Sequence, residues 1–310
     1  MQNSNTHATK AGKPRGMNPV LVDNIRIITE GRFPKLAMLE EKWFGEVHNP
    51  GEVIRAIKES QMKADIFTFC QRLPETTPKF DYHMEWDYVA AIPVESYHAW
   101  FEKQINPGAR KAIKKAEKKG ILVRIAEFND EFVRGMTSIV NETPIRQGRP
   151  YQHYGKDFDA LKKEYSRDAD RCDFLGAYYN DELIGFIKLF QTSHYAIPFG
   201  MVSKIEHRDK SPQNAILAKA IEVCEKKGLQ YLLYGEWSRG GLGDFKKNNG
   251  CIKIALPRYY IPLNLKGKIG LKLGLQHGLS ALIPEKVILR LIQIRKSWYT
   301  QQQAKQVEQE

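Results

Sequence analysis

The segment Asn106–Gly120 constrains the fold more than any other stretch of the chain. Asn106 is suited to cap a helix, Pro107 takes the first helical position, where a missing N–H costs nothing, and Gly120 supplies a left-handed stop. Between them Ala109, Ala112, Ile113 and Ala116 recur at i, i+3, i+4 and i+7, so one face is apolar and must be covered. The other face carries Arg110, Lys111, Lys114, Lys115, Lys118 and Lys119 against Glu117 alone. A face like that is either solvated or a seat for anions.

Beyond this helix, strand and helix patterns alternate regularly. Residues 121–128 read as a strand, 130–140 as an amphipathic helix and 156–165 as a second helix. Strands are predicted over 172–179 and 182–190, joined by the turn Asn180-Asp181, and over 194–202. Ser211 and Pro212 open a helix that Gly228 closes, and strands are predicted at 230–234 and 251–256. Between these two strands the glycines of 240–243 are read as a loop and 244–248 as a short helix. Upstream, 66–70 and 86–92 are strand candidates, the second stopped by Pro93. The expected class is α+β, a mixed, mostly antiparallel sheet flanked by helices. That is not the strict βαβ alternation of a doubly wound sheet.

Composition limits the partners such a fold can serve. The 310 residues hold 48 Lys and Arg against 36 Asp and Glu, a net charge of +12. That balance suits nucleic acid, a nucleotide, a sugar phosphate or an acidic membrane. Cys70, Cys172, Cys224 and Cys251 form no Cys-x-x-Cys pair, so they read as buried thiols of a reducing compartment. No His-Glu-x-x-His occurs and no metal is expected. No run approaches the roughly 18 to 20 apolar residues of a membrane span, so a cytoplasmic location is expected, with a peripheral place at the inner membrane face left open.

Four motifs in register carry a resemblance. Ala109-Arg110-Lys111-Ala112-Ile113-Lys114-Lys115-Ala116-Glu117-Lys118-Lys119-Gly120-Ile121-Leu122-Val123 resembles the Arg-x-x-Ile-x-Lys-Ala-x-Lys-x-Gly-Val-x-Val signature of Fem-type aminoacyl and acyl transferases, which carry the GNAT (N-acyltransferase) fold. Thr143 to Gly148, Lys210 to Asn214 and Gly243 to Gly250 come next in the family's order, the last similar to its Phe-Lys-x-x-x-Gly. The resemblance covers roughly residues 60–262 and implies an N-acyltransferase acting on an amine of a sugar, peptidoglycan or lipid intermediate. The donor it implies is acyl-CoA or aminoacyl-tRNA, its arm lying between two splayed strands near Ser211. Arg208-Asp209-Lys210-Ser211-Pro212-Gln213 stands where coenzyme A loops have Gln/Arg-x-x-Gly-x-Gly/Ala, so both small positions are lost.

For that chemistry, Glu236 is the expected base, Lys246 an expected stabiliser of negative charge and Tyr195 a proton relay. Arg208, Lys210, Ser211, Gln213 and Asn214 are expected at the donor, with Arg146, Arg149, Trp237 and Arg239 at the substrate. The expected division is a disordered tail at 1–18, an N-terminal subdomain at 19–108, the GNAT-like domain at 109–262, a basic amphipathic extension at 263–300 and a second tail at 301–310. Residues 265–300 hold seven Lys and Arg against Glu285 alone, interleaved with Leu and Ile. Such a segment suits an anionic membrane surface or docks on the domain itself. A basic, non-catalytic adaptor for RNA or membrane is the competing reading.

Overall fold

A computed structural model describes residues 19–22, 25–146, 148–278, 287, 290 and 294. The expected tails at 1–18 and 301–310 lie outside these. In chain order the strands are β1 (Val20–Val22), β2 (Ile25–Glu30), β3 (Leu36–Leu39), β4 (Ile66–Cys70), β5 (His83–Pro93), β6 (Leu122–Ala126), β7 (Ile145–Arg146), β8 (Arg149–Pro150), β9 (Cys172–Tyr179), β10 (Glu182–Gln191), β11 (Tyr195–Ser203), β12 (Tyr231–Glu236) and β13 (Ile252–Pro262). The helices are α1 (Pro50–Glu59), α2 (Tyr97–Ala99), α3 (Pro107–Lys118), α4 (Asp130–Val140), α5 (Phe158–Tyr165), α6 (Pro212–Lys226), α7 (Gly240–Asn248) and α8 (Leu265–Lys272).

The chain divides into two compact units. One takes residues up to Asp87, Ile145–Pro150 and the chain from Ala255 onward; the other takes Tyr88–Pro144 and Tyr151–Ile254. The first is therefore discontinuous, whereas the sequence suggests boundaries at 108 and 262, because strand-rich pieces far apart in sequence share one sheet. In this unit β1–β2 and β2–β3 pair antiparallel, β3 pairs parallel with β4, and Arg258–Pro262 of β13 pairs antiparallel with β4. The core packs Ile27, Phe67, Phe69, Tyr259 and Ile261 against Val53 and Ile57 of α1.

The second unit is the mixed, mostly antiparallel sheet that the element order predicts. Its strands run β5, β12, β11, β10, β9, β6, with β11–β12 parallel and the other pairs antiparallel. Asn180 and Asp181, at φ 49° and 62°, make the tight hairpin that links β9 to β10. One core joins α3 and α6 to the sheet through Ile113, Ala116, Leu217 and Ile221. A second joins α4 and α5 through Met136, Ile139, Leu161 and Phe186. Covered by both, β10 is buried from Leu183 to Phe190 and reads as a continuous apolar run broken only by Lys188. Lys188 is satisfied by the carbonyls of Tyr165 and Arg167 at the end of α5.

The α3 caps are those the sequence specifies: Asn106 Oδ1 accepts from the Ala109 N–H at 2.7 Å and Gly120 turns at φ 79°. The glycines of 240–243 differ from expectation. They form the first turn of α7, because a Cβ at Gly243 would stand 2.2 Å from the Ser238 carbonyl oxygen and only glycine allows that approach.

Candidate active site

Strands β11 and β12 pair at only two positions, Tyr195 with Tyr231 and Ala196 with Leu232. Beyond them β11 runs on to Ser203 and β12 to Glu236 with no further partner positions between the two. Glycines on both strands account for the parting. Between the pairs Phe186–Val202 and Lys188–Phe199, β11 has one residue more than β10, and Gly200 sits there at φ 66°. Between the pairs Leu233–Ala91 and Glu236–Val89, β12 has one residue more than β5, and Gly235 sits there at φ 79°. An extra residue bends its strand and raises the local twist, so two bulges flanking one parallel pair pull it open.

The helix that joins these strands starts at the open end. A single 3₁₀ turn, Arg208–Lys210, leads into Ser211, which takes the left-handed conformation at φ 58° and ψ 43°. Pro212 comes next at the first helical position and is buried, and no side chain caps α6. The first-turn N–H groups and the helix dipole make this end electropositive. Ser211 thus adopts the backbone shape that glycine supplies at no cost.

The expected donor residues divide on inspection. Ser211 and Gln213 are at the α6 terminus and Arg208 is exposed beside it. The Lys210 ammonium is engaged elsewhere, 3.0 Å from His207 Nδ1 and 4.8 Å from the centre of the Tyr179 ring. Asn214 Nδ2 donates to Asn249 Oδ1 at 3.1 Å, and Asn249 is buried with its own amide on the Phe245 carbonyl. Asn214 therefore ties α6 to the end of α7.

At the β12 side, three groups converge. Lys246 is 4% exposed, its Nζ donates to the Glu236 carbonyl oxygen, and it lies 5.4 Å from the centre of the Tyr234 ring. Burial pushes its ammonium below the ordinary lysine value, opposed by Cys251 and Glu236. Tyr234 has its phenol pushed up by burial and so keeps its proton at neutral pH. Its hydroxyl reaches Met201 Sδ on β11 at 3.7 Å. Cys251 is held up to about 12 by burial, which makes its thiol a poor nucleophile.

Glu236 and Lys246 are thus brought together, and Tyr195 lies apart from them. It lies at the paired root of β11 and β12, 3% exposed, and the relay role expected of it has no support in this geometry. Trp237 is half-buried, with its backbone N–H on the Tyr88 carbonyl at 2.9 Å and the Lys247 ammonium 5.7 Å from its ring centre. Arg239 precedes the first turn of α7 and is exposed. Arg146 and Arg149 face each other across the β7–β8 hairpin, which belongs to the first unit. Sequence reasoning missed Tyr234 and Met201. The signal available was a glycine inside each strand pattern, which marks a bulge.

Among the described residues one cluster has the spacing of a metal site, Glu182, Glu206 and His207. The Lys204 ammonium already bridges both carboxylates, so their charge is met within the chain.

No known family profile matches the chain, and no curated protein sequence matches it. Solved structures do. The structure of FemX superposes with a TM-score of 0.56 at 10% identity, over 80% of this chain and 85% of that one. The C-terminal domain of a putative lysylphosphatidylglycerol synthetase from Agrobacterium fabrum gives 0.53 at 11% identity, over 81% and 85%. L-PGS from Bacillus licheniformis gives 0.53 at 12% identity, over 77% and 81%. At such identities the likeness speaks for architecture: this chain has the Fem-like, GNAT-type fold.

Proposed function

We propose that the chain is an N-acyltransferase that moves an acyl or aminoacyl group from an activated ester to an amine. The observation that carries this reading is the parted β11–β12 pair with the positive end of α6 at its mouth. An extended donor arm fits between unpaired strands, and its phosphates suit a helix N-terminus. The fold shared with FemX and lysylphosphatidylglycerol synthetase supports the same class of reaction.

In this reading the amine nitrogen attacks the donor carbonyl carbon, the carbon–sulfur or carbon–oxygen bond of the donor breaks, and the amine gives up a proton. Glu236, at the end of β12, takes that proton. Tyr234 keeps its own proton and donates a hydrogen bond to the oxyanion or to the leaving group. Lys246 fixes the Glu236 backbone and supplies positive charge from a buried position, where it is poorly screened. Trp237 and Arg239 stand on the segment just beyond Glu236, where an acceptor would be held.

Between the two donors expected from sequence, α3 favours the one carried on RNA. Lys111, Lys114, Lys115, Lys118 and Lys119 are all exposed at i, i+3, i+4, i+7 and i+8, a single stripe. None has an acidic partner among the described residues. A row of that kind fits a phosphate backbone better than one pyrophosphate. The acceptor class, an amine of a sugar, peptidoglycan or lipid intermediate, rests on the resemblance to Fem-type enzymes.

Thermal-shift titration with aminoacyl-tRNA, acyl-CoA and deacylated tRNA tests the reading, since a ligand of the folded state raises Tm. Aminoacyl-tRNA or acyl-CoA should stabilise the protein, and Glu236→Gln should abolish transfer while keeping the shift. Equal stabilisation by deacylated tRNA, with no transfer to any amine, would instead establish the basic adaptor.

A further inference from the structure

Helix α8 lies against the first unit by its glycines. Asn264 Oδ1 caps it on the Gly267 N–H at 2.9 Å, and Asn264 Nδ2 holds the carbonyl of Ala64 and the Asp65 carboxylate, each at 3.1 Å. A Cβ on Gly267 would stand 1.9 Å from the Asp65 carbonyl oxygen, and one on Gly270 would stand 3.2 Å from the Pro34 ring. Gly267 and Gly270 are the buried residues of this helix. Leu271 is half-buried, and the other apolar residues of the helix face away from this contact. Leu265, Ile269 and Leu273, at i, i+4 and i+8, are 71%, 47% and 61% exposed. The sequence leaves open whether the 265–300 segment docks on the domain or meets lipid; in α8 the docking face is made of glycine and the leucine face is left outward.

The surroundings of this stripe are basic. Phe33, next to the Pro34 that α8 touches, is 51% exposed. Arg32, Lys266, Lys268 and Lys272 are exposed, and none has an ion-pair partner among the described residues. Neither residues 31–35 nor residues 265–273 contain a carboxylate. Val287, Arg290 and Ile294, also helical and exposed, repeat the same mixture.

We propose that the outward face of α8, together with Phe33, docks the protein on an anionic lipid bilayer. Apolar side chains enter the acyl boundary while the lysines meet lipid phosphates; either attraction alone is weak, and the two together anchor. Charge decides against a second copy of the chain, since a two-fold contact through this patch would set lysines against lysines. It decides against RNA as well, which has no use for three outward aliphatic side chains. The assignment stands independently of the transferase reading.

The test is co-sedimentation of the full chain with vesicles. Binding is expected to vesicles of phosphatidylcholine with phosphatidylglycerol, weak or absent on phosphatidylcholine alone, and reduced by added salt. Leu265→Ser/Ile269→Ser/Leu273→Ser should weaken it by about tenfold or more, with an unchanged circular dichroism spectrum. Lys114→Glu/Lys118→Glu on α3 should leave it unchanged. Absence of binding to the mixed vesicles, or full binding by the serine variant, overturns the proposal. So does a loss confined to the α3 variant, or a dimer that the serine variant disperses without any vesicle binding.

Discussion

The hydroxyl of Tyr234 on β12 stands 3.7 Å from the sulfur of Met201 on β11, beyond the last paired residues of the two strands. A thioether is a weak acceptor, so the phenol gives up little by turning to a better one. Tyr234→Phe should therefore leave stability within about 1 kcal/mol of the parent and lower kcat by roughly ten- to a hundredfold. Steady-state kinetics beside a urea melt checks both. An unchanged kcat would take Tyr234 out of the reaction.

Gly200 is the residue on which the bend of β11 turns. A Cβ there would meet the Tyr165 hydroxyl at 2.4 Å, and its φ of 66° is one that alanine resists. Gly200→Ala should lower stability by about 1 to 3 kcal/mol. Donor affinity, measured by calorimetry, should fall further than stability explains, because a straightened β11 narrows the gap. Equal affinity in a folded Gly200→Ala protein would mean that the opening does not depend on this bulge.

Ser211 offers the opposite case. It holds the left-handed conformation with no capping bond from its own side chain. Ser211→Gly relieves that strain and should be neutral or stabilising by up to about 1 kcal/mol. Ser211→Val should cost more than about 1 kcal/mol, as a β-branched residue fits this region poorly. Chemical denaturation of the pair settles the sign.

Acid should expose one more contact. His153, its Nδ1 3.6 Å from the carboxylate, holds the Glu164 carboxyl at about 2, aided by the Lys156 ammonium and opposed by partial burial. Because the folded value is depressed, the stabilisation is complete above the unfolded carboxyl value of about 4.3 and is lost as pH falls toward 2. Urea midpoints of the parent and of Glu164→Gln should converge between pH 5 and pH 2.5. A constant gap across that range would show that the carboxylate charge contributes nothing.

Much of the second unit is legible from sequence alone, because its helices carry their own punctuation. Asn106, Pro107 and Gly120 bracket α3, and the α4 and β9 spans coincide with those read from periodicity. Final strand β13 runs six residues past the predicted end, since its second half is held by β4, a partner nearly two hundred residues away that no local pattern reveals. Motif and position pick out Glu236 and Lys246, which the structure places in contact, and Tyr195, which it places in the paired part of β11, because a strand residue before the fork looks the same in sequence as one beyond it. Only the register, set by the bulges at Gly200 and Gly235, tells the two apart. The α8 orientation is left open for a similar reason: periodicity identifies an apolar stripe but not which way it faces, and the backbone approach at Gly267 decides that.

A strand edge that loses its neighbour keeps its amides and carbonyls, and past Ala196 and Leu232 neither β11 nor β12 supplies them to the other. Whatever enters there is met by two rows of main-chain dipoles at the spacing of a ladder. A thin, extended guest can lie along either edge, bonding to backbone alone and asking nothing of side-chain identity, so such a slot discriminates by the width of what enters it.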